Sequence, residues 1–213
     1  MKSEARHPAS FRDRSGFIFQ IDKSIYRQVG KSYQREFNHF LESGLYRQLI
    51  DEKLLIPHKE LERGRFASVD AYKILKPERV NFISYPYEWS FSQLKDAALL
   101  TLRIQNTALN HGMSLKDASA FNIQFHKGRP VLIDTLSFEI YKEGEPWVAY
   151  RQFCQHFLAP LALMTFSDYR LQKLTTSYID GIPIDLASRL LPFRTRLNPG
   201  LLTHIHLHAV SQR

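Results

Sequence analysis

The stretch "SLKDASAFNIQFHKGRPVLIDTLSF", Ser114 to Phe138, constrains this chain more than any other. Its apolar run Val131-Leu132-Ile133 closes on the carboxylate of Asp134. Residues of that type belong in a core, so the strand they form delivers Asp134 to a core's edge. Phe121–Phe125 is predicted as a partner strand, with His126–Pro130 as the turn between them. Upstream, Asp117 and Asn122 lie five positions apart, and Asp134 follows Asn122 by twelve. A divalent cation bridging phosphates needs hard oxygen ligands, which a carboxylate and an amide carbonyl supply. A separate loop carboxylate suits taking the proton of an attacking hydroxyl. The set therefore reads as a phosphoryl-transfer arrangement. The same residues also satisfy a purely structural account. Asp117 and Asn122 would then be cap and turn residues after Gly112, and Asp134 a strand-end carboxylate bonded to backbone amides.

The 213 residues are 44% hydrophobic and 23% charged, enough apolar content for a core. Cys154 is the one cysteine, which excludes an internal disulfide framework and suits a reducing compartment. No apolar run reaches the roughly 18–20 residues of a membrane-crossing helix, and "MKSEARHPASFRDRSG" has no signal-peptide core. The expected location is cytoplasmic. A net charge of +8 favours anionic partners. The basic residues are spread out and no nucleic-acid module signature is present, so nucleic acid is not the expected partner.

"GFIFQIDKSIYRQV" alternates around "DKS" and predicts a β-hairpin over Gly16–Val29. Lys31–Glu60 is predicted helical, with Gly44 as a break and Pro57 as the stop. Ala71–Ser90 is predicted as two strands around Lys76-Pro77-Glu78. Ser90–Gly112 carries a broad apolar face, and Gly112 suits its end. "EPWVAYRQFCQHFLAPLALMTF" predicts an apolar helix, and the tail short helices between Gly181, Pro183, Pro192 and Pro199. The expected fold class is α+β and two-lobed. Residues 1–10 would be a flexible arm, 11–90 a small β-rich lobe with one helix, and 91–213 a helical lobe with the embedded hairpin.

"LKDASAFN" followed by "VLIDTL" resembles the catalytic loop and metal-binding segment of the protein-kinase-like superfamily, in particular its small-molecule and lipopolysaccharide kinases. The resemblance implies a protein-kinase-like fold with a reduced β lobe. It puts Asp117 in the place of the catalytic aspartate, and Asn122 and Asp134 in those of the metal ligands. Lys116 falls where many kinases carry arginine. ATP and Mg²⁺ are the cofactors it implies. Arg27 falls where kinases place the phosphate-holding lysine, with Glu36 or Glu42 as its partner on the next helix. Arginine lacks lysine's compact ammonium geometry, and no glycine-rich phosphate loop is visible. These departures point to a catalytically degenerate domain.

"SGLYRQLI", "ISYPYEWSFSQLKDAALLTL" and "EPWVAYRQFCQHFLAPLAL" resemble the N-terminal region of bacterial nodulation-protein-like, class I SAM-dependent methyltransferases. That resemblance implies a downstream methyltransferase domain as partner. All nine glycines here are isolated and no G-x-G loop follows a strand, so SAM is not expected to bind this chain. The leading expectation is thus a degenerate kinase-like accessory domain of a methyltransferase-like protein. The alternatives are an active Mg-dependent phosphotransferase on a small molecule or glycan, and a non-catalytic basic module for anionic ligands. Among other motifs, "HIHLH" reads as an amphipathic end segment rather than a metal site, and Cys154 as a core thiol, since His156 at i+2 diverges from it on a helix. "YPYEW" reads as packing at the lobe junction.

Overall fold

The structure is a computed structural model that describes residues 5–6, 15–22, 24–62 and 68–211. An antiparallel sheet forms first. β1 (Ala5–Arg6) pairs with β2 (Gly16–Ile21), and β2 with β3 (Ser24–Gly30) in the register Phe17↔Gln28, Phe19↔Tyr26. β1 lies within the stretch expected to be an arm; the rest of that arm is outside the described residues. α1 (Gln34–Glu42) and α2 (Leu45–Asp51) follow, parted at Gly44, whose φ of 84° is the left-handed conformation that glycine adopts without steric cost. The helix expected to run to Glu60 stops at Asp51. Lys53 turns left-handed, and Leu54–Ile56 bonds instead to Leu132: Ile56 N–H to Leu132 O at 2.8 Å, Leu132 N–H to Leu54 O at 2.9 Å. β4 (His58–Leu61) then pairs with β5 (Ala71–Pro77), giving the sheet order β1-β2-β3-β5-β4.

The second strand expected after Pro77 does not form. Residues 78–90 run irregularly to a short 3₁₀ turn at Pro86–Glu88. A side chain holds the backbone of Ser84 within them: buried Gln124 accepts from Ser84 N–H at 3.0 Å and donates to Ser84 O at 2.9 Å. Trp89 is buried at this junction, edge-on to Phe125, its indole N–H donating to Ser84 Oγ. α3 (Phe91–Leu109) begins in a capping box, Ser90 Oγ accepting from Gln93 N–H and Gln93 Oε1 from Ser90 N–H.

β6 (Met113–Leu115) leads into the Asp117 loop. β7 (Ile123–His126) and β8 (Arg129–Leu132) form the expected hairpin around Lys127 and Gly128, both with positive φ. Such a two-residue turn matches the strand twist and fixes the register Ile123↔Leu132. β9 (Phe138–Ile140) returns to pair with β6. α4 (Tyr150–Phe153) continues through a π-helical stretch, Cys154–Leu158, into α5 (Ala159–Phe166). Short helices complete the chain: α6 (Leu174–Ser177), α7 (Ile184–Leu190), α8 (Pro199–Leu201) and α9 (His208–Ser211).

The architecture is α+β: a small antiparallel sheet with its helix pair, then a mainly helical half with the hairpin embedded. The largest core joins Phe40, Leu45 and Leu49 to Leu94, Ile104, Phe138 and Phe157. No described helix is long and apolar enough to cross a membrane.

Candidate functional site

β3 alternates, so Arg27 shares a face with Val29. Val29 packs with Tyr33, Phe37, Leu75 and Leu136. That face therefore looks onto the segment following Asp134, and Arg27 Nη1 lies 2.7 Å from Asp134 Oδ1. The two side chains are only 11% and 18% exposed. Asp134 Oδ1 also accepts from Leu136 N–H at 2.8 Å. The structure thus gives Arg27 a carboxylate other than the one expected. Glu42 is exposed at the end of α1 and makes no ion pair among the described residues, and Glu36 is half-buried in that helix's first turn.

The hairpin bonds Asn122 to the two residues that flank the Asp134 turn, Ile133 and Ser137. Ile133 N–H donates to Asn122 O at 2.8 Å, and Asn122 Nδ2 lies 3.3 Å from Ser137 Oγ, just beyond Asp134. Asp117 begins the same chain of bonds. Its Oδ1 accepts from Ser119 N–H at 2.9 Å, and Ser119 O accepts from Asn122 N–H at 3.0 Å. The loop is gripped from the helical side. Gln152 Oε1 accepts from Ala118 N–H at 2.6 Å, and the Trp147 indole donates to Leu115 O at 2.7 Å. Lys116 points away toward the sheet, donating to Ser15 Oγ at 2.6 Å with its ammonium 4.3 Å from the Tyr33 ring centre. Tyr33 in turn donates to Phe138 O at 2.5 Å. Burial, and next the Asp134 charge, hold its hydroxyl well above the usual phenol range.

His156, set aside in sequence as a partner for Cys154, lies beside the Asp117–Asn122 loop. It is buried in the π-helical stretch, edge-on to Phe121. Burial pushes its pKa down to about 4, against the pull of the Asp117 and Asp180 carboxylates. A π-helical stretch re-aims side chains and recurs at functional sites, but no residue pattern in "FCQHFLAP" announces one. Cys154 is buried with its thiol pushed up, the state of a core cysteine rather than a nucleophile. No group of three or more His, Cys, Asp or Glu among the described residues is placed to hold a metal ion.

No protein-family model matches the chain. A curated relative does, the nodulation protein NoeA of Rhizobium meliloti (strain 1021), 36% identical over 214 residues that cover 97% of this chain. The chain resembles that protein along nearly its whole length. It spans 44% of the relative. Among solved structures, that of vaccinia related kinase 3 matches at 18% identity and a TM-score of 0.42, covering 65% of this chain and 49% of that one.

Proposed function

We propose that this chain is a catalytically silent kinase-like domain. It serves as the accessory part of a larger SAM-dependent methyltransferase-like protein, whose methyl-transferring part lies outside the chain. The Arg27–Asp134 ion pair carries the reading. A kinase-like cleft uses these two positions on opposite sides of a bound Mg²⁺·ATP, one for phosphate and one for metal. Here Arg27 Nη1 lies 2.7 Å from Asp134 Oδ1, with both side chains largely buried. Admitting the nucleotide would mean separating them, so the pair competes with phosphate for Arg27 and with the metal for Asp134. The residues present therefore do not fit Mg²⁺·ATP, and we derive no transfer step through it. Asp117, held in its turn by Ser119, is a loop-shaping carboxylate on this reading. The accessory role is supported by the relative, of which the chain matches 44%.

Thermal denaturation with and without 5 mM Mg²⁺·ATP tests the silence. No shift in Tm is expected for the wild type. A stabilisation of several degrees that Asp134→Ala abolishes would instead establish the phosphotransferase. The accessory role is tested separately, by measuring SAM binding to this chain and to the longer protein: binding by the longer protein alone is expected.

A further inference from the structure

From Leu186 to the last residue, Arg213, the sequence contains no Asp or Glu. Within this acid-free stretch one 3₁₀ turn, Phe193–Leu197, is unusual in what it shows to solvent. Phe193 is 73% and Leu197 80% exposed. Arg194 and Arg196 lie between them in sequence, both exposed, and neither has a carboxylate partner among the described residues. Arg196 stacks over the Phe193 ring at 5.5 Å, and Arg194 Nη2 donates to Phe166 O at 3.3 Å. Only Thr195 points inward.

The turn is firmly built. Thr195 Oγ1 donates to Pro192 O at 2.7 Å, so the bond at 2.9 Å to His206 Nε2 takes its proton from the imidazole. His206 Nδ1 then accepts from Ser188 Oγ at 2.9 Å. Burial holds His206 below the usual histidine range, which keeps it in the neutral form those bonds require. A buried imidazole thus fastens the turn to α7, and Asn198 caps the next helix by accepting from Leu201 N–H. The molecule spends these contacts on holding outward two large apolar side chains and two guanidinium groups.

We propose that this turn docks the protein onto an anionic phospholipid surface. Phe193 and Leu197 would enter the headgroup–acyl boundary, while Arg194 and Arg196 bond lipid phosphates. Charge complementarity selects the occupant: a bilayer offers apolar depth beneath a layer of negative charge, the pairing that this turn presents in reverse. A single turn is also too small for a stable protein–protein interface, which buries roughly 1,200–2,000 Å², yet it suffices as one element of a peripheral membrane contact. Membrane docking by this turn does not depend on whether the Arg27–Asp134 site binds nucleotide.

Co-sedimentation of the whole chain with vesicles tests it. Vesicles of phosphatidylcholine alone are compared with vesicles containing 30% phosphatidylglycerol, at 50 and 500 mM NaCl. The wild type is expected to bind the anionic vesicles at low salt and to leave them at high salt. Losing each arginine should weaken binding about fivefold, so Arg194→Gln with Arg196→Gln should weaken it about 25-fold. Phe193→Ser with Leu197→Ser should also abolish sedimentation, and both pairs should melt near the wild-type Tm because all four side chains face solvent. Equal binding to neutral vesicles, no binding at all, or binding indifferent to both pairs would overturn the proposal. So would self-association of the wild type that Phe193→Ser with Leu197→Ser abolishes, which would assign the turn to a second copy of the chain.

Discussion

Arg27 and Asp134 lie more than a hundred residues apart and meet at 2.7 Å with little exposure. Each residue was legible in sequence as a candidate; their pairing was not. Strand alternation says which face Arg27 takes, but not which carboxylate lies opposite it. The kinase resemblance implied Glu36 or Glu42, on the following helix, as the partner. Glu42 lies exposed at the end of α1, and Asp134, two residues before Leu136, meets Arg27. His156 carries a second prediction at this scale. Its folded pKa of about 4 lies below the ordinary histidine value of 6.5. The unfolded chain therefore binds the proton more readily, and stability present above pH 6.5 is lost as pH falls toward 4. His58, also pushed down to about 4 by burial, acts in the same direction. Urea denaturation across pH 7 to 4 should show this loss, and His156→Gln should flatten part of it. A wild-type stability constant across that window would contradict the assignment.

Elements with a local signature read correctly from sequence. The β2–β3 hairpin has its alternation and α3 its broad apolar face, while the β7–β8 hairpin was expected with a longer turn, His126–Pro130, than the Lys127-Gly128 turn that forms. Elements decided by distant pairing did not. Leu54–Ile56 is an apolar run compatible with helix or strand, and the carbonyl and amide of Leu132 settle it. The aromatic run near Tyr85 has strand-forming residues but no edge to pair with, and Gln124 takes over its backbone instead. The Asp117 loop depends likewise on a bond no local pattern predicts, from Ala118 N–H to Gln152 Oε1. Removing it with Gln152→Ala should cost about 1–2 kcal/mol. It should also speed amide exchange at Ala118 and Ser119 more than at Ile123. Uniform exchange in that variant would mean the loop holds itself.

At the scale of the whole molecule, the sheet-side helices and the helical half share one core. Phe40, Leu45, Leu49 and Leu55 pack with Leu94, Ile104, Leu132 and Phe157. Such continuity predicts one cooperative unfolding transition rather than two. Calorimetry should return a single peak with equal calorimetric and van't Hoff enthalpies; two separated peaks would mean the lobes unfold independently. The α+β order of elements was legible in sequence, whereas the proposed silent kinase-like site turns on one pair of charges. That pair is Arg27 and Asp134, and a double-mutant cycle measures it. Arg27→Met, Asp134→Asn and the double variant are compared with the wild type by chemical denaturation. A coupling energy of at least about 2 kcal/mol is predicted for charges that satisfy each other in a largely buried setting. A coupling near zero would mean that the pair does not hold itself together, and would contradict the proposal that it excludes Mg²⁺·ATP.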